Sequence, residues 1–560
     1  MNKLLVFVLF SIVLLLCHVP AVSAQNNKYG IHVATVDDLD LQKADELVNS
    51  NGGSWGYITV VIQENDRDLN KWQGVFEKLR EKRLIPIVRL ATKPAGSNWE
   101  RPDSTDVQDW VQFLNKLKWV VKDRYIILFN EPNHATEWGG SVDSKSFAEI
   151  NEAFARGLKD ANGDFYIMLG GMDASAPSAL PRYQDAGIYL RQVVEIIGVE
   201  DFNKYFDGLS SHSYPNPAFR GSPLGTGKGS VRTYEWELSL LNELGVKELP
   251  VFITETGWDG DALSREEVAE NFRIAYQTLW LPDNRVKAVT PFILNYQVEP
   301  FLKFSWVKPG GSEVFPEYEL VKNLPKEAGR PAIRQSGSFT YDLPREIVAE
   351  STYHFELKLQ NTGQAIWSVE DDYQIKLTGI PETRYLTSPL GHVKPSQTRT
   401  IDIYITTLDE IGPTELKFYL YRGEEAVLAS QPWKITVVPL PALDVQASLF
   451  PKFTTTDDGF ELQLFDEYDE LVYKNAGIRL ERGIATIDKV ENIALGKKYR
   501  AVLLKDHYLP RQTHITFTKG TNTIIFESML PFDFNSDGKL GWEDISGMFS
   551  DAGNLRRLFP

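Results

Sequence analysis

Two glutamates stand at the ends of apolar runs. Glu131 lies in Phe129-Asn130-Glu131-Pro132-Asn133, directly after Tyr125-Ile126-Ile127-Leu128, and Glu255 lies in Val251-Phe252-Ile253-Thr254-Glu255-Thr256-Gly257-Trp258. Short apolar runs of this kind read as buried strands. An acid at the end of such a strand sits at a mouth rather than in the interior. Two such acids can share one reaction, in which one delivers a proton to a departing oxygen while the other attacks the carbon left behind or activates water there. That is the chemistry glycosidic bonds require. Residue types alone leave open whether the second acid is nucleophile or base, because the gap between the carboxyl groups decides it.

The elements that must position these acids follow from periodicity. Strands are expected over 29–36, 57–62, 84–90, 125–129, 165–169, 206–212, 250–254 and 286–294. Helices are expected between them, over 41–48, 69–83, 107–121, 146–158, 189–197, 231–244 and 265–279. The second helix carries Trp72, Val75, Phe76 and Leu79 at helical spacing. Eight strands alternating with helices predict a (β/α)8 barrel, whose active site lies at the C-terminal strand ends. Glu131 closes the fourth strand and Glu255 the seventh, so both can face one cleft.

Asn130-Glu131-Pro132 after strand four, with Thr254-Glu255-Thr256-Gly257-Trp258 after strand seven, resembles clan A of the retaining glycoside hydrolases, over residues 29–324. The resemblance implies that Glu131 is the general acid/base and Glu255 the nucleophile. It implies that Asn130 binds the sugar hydroxyl next to the anomeric carbon. It also implies that Tyr214, in His212-Ser213-Tyr214-Pro215, orients the nucleophile while His212 lies beside the acid/base. Arg89, at the end of strand three, pairs with Glu255 on this reading and is a structural ion pair on the plainer one. Trp138, Trp258 and Tyr296 follow strands four, seven and eight and are candidates to stack on sugar rings, with loop anchoring the alternative for the two tryptophans. His32 belongs to either core or cleft.

Bulk properties bound the rest. The 560 residues carry a net charge of −17, which disfavours nucleic acid as a partner. The apolar share of 42% and charged share of 24% are those of globular protein. Lys3, the apolar core from Leu4 to Cys17 and Val22-Ser23-Ala24 form an export leader over 1–24, giving a secreted or surface location. Cys17 is the sole cysteine, so the mature chain holds no catalytic thiol and no thiolate metal site.

Beyond the barrel, assigned to 25–328, the period shortens. Alternating runs at 353–359, 373–377, 400–405, 416–421 and 433–438 predict a β-sandwich over 332–438. Asn361 to Trp367 resembles the loop-and-tryptophan signature of immunoglobulin-like accessory modules. A second small β-sandwich is assigned to 442–530, and spacer or carbohydrate-binding roles are open for both. Asp533, Asn535, Asp537, Lys539 (through its carbonyl) and Asp544 have the spacing of a calcium loop, with Gly538 at the turn. Asp at the last position resembles a dockerin repeat more than an EF-hand, and a single loop leaves cohesin docking open. The segment 531–560 is thus expected to bind structural Ca2+, with no cofactor for catalysis.

The expectation is therefore an α/β protein, a (β/α)8 TIM barrel followed by two β-sandwich modules and a calcium-binding tail. It is expected to act as a monomeric, exported retaining glycosidase on a poly- or oligosaccharide. The alternative is a non-catalytic carbohydrate-binding or adhesion protein that uses the barrel as a platform. Sugar, anomer and endo or exo cleavage are not legible.

Overall fold

The computed structural model describes residues 26–451 and 455–550. The expected leader, with Lys3 and Cys17, lies outside the described residues. The chain divides into two compact units, 1–334 and 335–560.

In the first unit the order is β1 (Gly30–His32), α1 (Asp38–Val48), β2 (Tyr57–Gln63), α2 (Leu69–Glu81) and β3 (Ile85–Ala91). A short hairpin follows, β4 (Pro94–Ala95) and β5 (Asn98–Trp99), then α3 (Asp106–Lys116), β6 (Arg124–Leu128), α4 (Ser144–Ala161) and β7 (Phe165–Leu169). Next come α5 (Ala186–Ile197), α6 (Val199–Tyr205), β8 (Leu209–His212), α7 (Thr233–Glu243), β9 (Val251–Glu255), α8 (Arg265–Ala275), β10 (Val286–Val289) and α9 (Pro316–Lys322). Local signals set the helix starts. Asp37 accepts a bond from the Asp40 amide, and Ser264 and Glu267 cap α8 reciprocally.

Eight strands run parallel, in the sheets β1-β2-β3-β6-β7 and β8-β9-β10. Their outer edges meet on both sides. The Val289 amide donates to Lys28 O (2.9 Å) and the His32 amide to Pro291 O (3.0 Å). Across the other junction the Asp207 amide donates to Ile167 O (2.9 Å), and Asp207 Oδ2 accepts the Ile167 amide (2.8 Å). Side chains from both sheets share one interior. Tyr125 lies 6.0 Å from Tyr57 and 5.2 Å from Phe252, which lies 5.6 Å from Tyr166. These rings come from the first or second residues of β2, β6, β7 and β9, so they plug the N-terminal strand ends and leave the C-terminal ends for a cleft.

Several element boundaries differ from expectation. The eighth strand ends at Val289, because Pro291 has no amide for a ladder and the Phe292 amide turns to Thr256 O (2.9 Å). The third helix ends at Lys116, not 121. Leu117, Trp119, Val120 and Val121 are buried as irregular chain, with the carbonyls of Lys118 and Trp119 taken by Arg80. Apolar periodicity there reported burial rather than helix. The first strand is three residues rather than eight, and α6 was not anticipated.

In the second unit one sheet holds β11 (Gly337–Tyr341), β13 (Thr352–Asn361), β15 (Tyr385–Thr387) and β16 (Thr398–Thr406). Another holds β12 (Glu346–Val348), β14 (Tyr373–Thr378), β17 (Gly412–Arg422), β18 (Glu425–Ala429) and β19 (Trp433–Val438). Burial alternates strictly along β13, as a half-buried strand requires. Phe339 and Phe355 from the first sheet meet Phe418 from the second at 6.3 and 6.0 Å. Trp367 is fully buried and donates to Gln335, while the Asn361 amide donates to Ala365 O and Val393 O. The loop-and-tryptophan stretch is therefore an anchor of this core.

Two further sheets share a second core built on Leu443, Phe460, Leu462 and Leu503. They are formed by β20 (Ala442–Gln446), β23 (Ile484–Ile487) and β26 (Thr521–Ile525), and by β21 (Asp457–Phe465), β22 (Leu471–Leu480), β24 (Lys498–Lys505), β25 (His507–Thr516) and β27 (Pro531–Asp533). β27 brings the start of the calcium-loop stretch into this sheet through β25. The helix α10 (Trp542–Ser550) follows. Among the described residues, no helix is long and apolar enough to cross a membrane.

Candidate active site

Glu131 leaves β6 on a strained path. Phe129 has φ 67° and Glu131 φ 28°, both in the left-handed region that side-chain-bearing residues rarely adopt. Two glycines after β7 make room for that path. A Cβ on Gly170 would meet Phe129 O at 2.7 Å, and Gly171 O accepts the Glu131 amide at 3.0 Å. A Cβ on Gly171 would lie 2.2 Å from the His212 ring. This tight approach seats His212, at the end of β8, with Nδ1 2.8 Å from Glu131 Oε1.

Glu255 closes β9 and is 7% exposed. Arg89, from β3, donates through Nη1 to Glu255 Oε1 (2.9 Å) and to Asn130 Oδ1 (2.5 Å). Tyr214 donates its hydroxyl to Glu255 Oε2 (3.1 Å). The fold thus brings Arg89, Asn130, Glu131, His212, Tyr214 and Glu255 together from β3 and the ends of β6, β8 and β9. One oxygen of Glu131, one of Glu255 and a ring nitrogen of His212 lie within 4.8 Å of one another. His32 lies beneath, in the core, its Nδ1 3.8 Å from Glu255 Oε1.

The electrostatics separate the two histidines. Burial would push His212 down, but the charge of Glu255 and the bond and charge of Glu131 outweigh it and lift His212 to about 9. Burial, with the charges of Arg89 and His212, holds His32 well below the ordinary range. His212 is therefore the protonated partner and His32 the neutral one. Burial and the two glutamates drive the Tyr214 hydroxyl well above its ordinary value, so it remains a donor to Glu255. Glu131, His212 and Glu255 have the reach of a metal site, but Arg89 and the protonated His212 already supply the positive charge.

These groups open on a cavity of about 300 Å3, walled by Trp99, Phe219, Phe292, Phe301 and Phe304. Two of the three expected stacking residues are packed away. Trp138 borders the cavity but is 0% exposed, edge-packed on Phe129 and Phe147, with Nε1 bonded to Ser146 Oγ. Trp258 is 1% exposed and bonded to Gly221 O. Neither offers a ring face to a ligand, and both are loop anchors. Tyr296 is half-buried 5.4 Å from Phe301 and is not among the cavity-lining residues; Phe292, Phe301 and Phe304 are the aromatics after the eighth strand that reach the cavity.

Other cavity residues escaped sequence reasoning. Trp99 arrives on the β4-β5 hairpin, a two-residue pairing with no periodic signal. His134 bonds Asp173 Oδ2 at 2.8 Å across two loops. Glu137 lines the cavity next to Trp138, and its Oε2 accepts the Asn130 amide at 3.3 Å. Burial and the charge of Glu131 push Glu137 up to about 6, against Arg89 and the Asn130 bond. An Asn-Glu-Pro followed six residues later by a second Glu was the available signal.

In the calcium-loop stretch Gly538 takes φ 78°, and its amide donates to Asp533 Oδ2 (3.2 Å). Asn535 Oδ1 accepts the Asp537 amide, and Asp537 Oδ1 the Lys539 amide. Asp544 accepts from the amides of Phe534, Asn535 and Gly541. Asp533 is 2% exposed and its Oδ1 has no hydrogen-bond partner. Burial, with the charges of Asp544 and Asp537, holds its carboxyl above the ordinary range against the bond from Gly538.

No protein-family model matches this sequence, and no curated protein matches it. Solved structures do resemble it. A monomeric β-xylosidase from Caulobacter crescentus CB15 aligns at 12% identity and a TM-score of 0.40, over 84% of this chain and 97% of the xylosidase. A glucosidase from Croceicoccus marinus aligns at 10% identity and a TM-score of 0.41, over 84% and 95%. A family 51 α-L-arabinofuranosidase from Bifidobacterium longum aligns at 9% identity and a TM-score of 0.38, over 69% and 95%.

Proposed function

We propose that this protein is an exported retaining glycoside hydrolase acting by double displacement on a poly- or oligosaccharide. The two parallel sheets are taken as one closed (β/α)8 barrel carrying the site, and the second unit as two β-sandwich modules and a calcium segment. One observation carries the reading: a Glu131 oxygen and a Glu255 oxygen lie within 4.8 Å of each other in one cleft. Carboxyl groups ~5–5.5 Å apart suit direct attack, whereas a water-mediated inversion needs ~6.5–9.5 Å.

In this reading Glu131 protonates the glycosidic oxygen as the leaving group departs. Glu255, held by Arg89 and Tyr214, attacks the anomeric carbon and forms a covalent glycosyl-enzyme. Glu131 then takes a proton from the incoming water, which attacks the same carbon and releases Glu255. The protonated His212 donates to Glu131 Oε1, which leaves Oε2 to carry the transferred proton. Asn130 presents its amide toward the ring hydroxyl next to the anomeric carbon, a bond that strengthens as positive charge develops.

The C-terminal stretch fits a calcium ion. Its donors are all oxygens, the turn residue is glycine, and a buried, unpartnered Asp533 Oδ1 is the kind of group a cation would satisfy. Asp533, Asn535, Asp537, the Lys539 carbonyl and Asp544 would hold it. Its contribution would be structural, offsetting three clustered carboxylates.

The test is covalent labelling with 2-deoxy-2-fluoro glycosides of several configurations, read by intact-protein mass. Labelling by at least one probe, lost in Glu255→Gln, is expected. Absence of labelling by every probe, with sugar binding retained, would instead establish a non-catalytic recognition platform.

A further inference from the structure

The two-carboxylate reaction leaves two cavity acids without a task, Glu137 and Asp173, and Asp173 is already paired with His134. Glu137 lies in the same cavity as Glu131 and Glu255, and among the described residues no Lys, Arg or His stands within ion-pair distance of it. Its recorded bond is to Asn130 Nδ2. Asn130 is thereby gripped from both ends. Arg89 Nη1, which can only donate, faces Oδ1 at 2.5 Å, and the Glu137 carboxylate, which accepts, faces Nδ2 at 3.3 Å. Both partners demand the same amide orientation, so it is determined by chemistry rather than by convention. One N–H of Nδ2 goes to Glu137, and the other is left for a ligand.

That orientation limits what the site can bind. The ring substituent facing Asn130 must offer a lone pair. A hydroxyl does, through its oxygen. A hydroxyl that accepts from Asn130 still carries a proton, and Glu137 is the acceptor adjacent to the same amide.

We propose that Glu137 positions Asn130 and accepts the proton of the hydroxyl next to the anomeric carbon, so that the site reads a free hydroxyl there through a donor and an acceptor together. The inference rests on the glycosidase reading and deepens it. The acidity of Glu137 agrees with the role, since above pH about 6 it is a carboxylate with lone pairs only.

The experiment compares wild type and Glu137→Gln on an aryl glycoside that the wild type cleaves and on its 2-deoxy counterpart. A charge-assisted bond lost from a cleft predicts a fall in kcat/KM of about 10- to 100-fold on the parent. On the 2-deoxy substrate, which has no hydroxyl to read, the fall should be under about 3-fold. Equal losses on parent and 2-deoxy substrates would reduce Glu137 to a structural residue and overturn the proposal while leaving the glycosidase reading intact. Failure of the wild type to cleave any glycoside would overturn both readings together.

Discussion

Gly171→Ala places one methyl group where the structure has no space for it. The added Cβ would lie 2.2 Å from His212 Cδ2, 2.6 Å from Nε2 and 2.8 Å from Cγ. Carbon atoms settle at about 3.5 Å or more, so ring and backbone must separate by about 1.3 Å. His212 is 3% exposed and cannot swing into solvent. Its 2.8 Å bond to Glu131 is the contact such a shift breaks, and the Gly171 carbonyl also holds the Glu131 amide. Overpacking of this size costs about 1–3 kcal/mol of stability. A misplacement of about 1 Å in a catalytic array costs about 100-fold in rate. The assay is kcat on two aryl glycosides that share a sugar but differ in leaving-group acidity, with thermal unfolding recorded alongside. Since the displaced contact belongs to the proton donor, the loss should be about 100-fold with the poor leaving group and clearly smaller with the good one, which needs little protonation. A folded variant with kcat within about twofold of wild type on both substrates would refute the view that Gly171 seats His212 and, through it, Glu131.

Two further outcomes follow from the charges. His212 is lifted from its ordinary 6.5 to about 9 because the charges of Glu255 and Glu131 outweigh burial. Its folded value is the higher one, so its stabilising contribution is complete below pH 6.5 and disappears as pH rises through about 9. Denaturant unfolding of wild type and His212→Gln between pH 6 and 10 should show a difference that narrows over that window, and a pH-independent difference would contradict a protonated His212. For the C-terminal loop, calcium at 100 times its dissociation constant should stabilise the segment by about 2.7 kcal/mol, reversed by chelator. Asp533→Ala should abolish that response, and a calcium-dependent shift that survives the substitution would remove Asp533 from the site.

Sequence and tertiary structure contributed different parts of this picture. The strand runs before Glu131 and Glu255, the amphipathic face of α2 and the alternation along β13 are burial patterns, and burial is written locally in residue type. From these the two glutamates are found at their strand ends, and the turn at Gly538 is legible from the spacing of the oxygen-bearing residues around it. Whether an aromatic side chain is a platform or an anchor is not written locally. Trp138 and Trp258 follow the right strands yet are packed against Phe147 and Phe272, while Trp99 reaches the cavity from a stretch without periodic signal and Phe292 from one that reads as strand but is not. Gly170 and Gly171 were equally silent, since their meaning lies in segments after β6, β7 and β8 approaching closely. A linear pattern reports how much of a residue faces solvent. Only the packed chain decides which distant atoms occupy the remaining space, because that depends on distances set by all the strands at once.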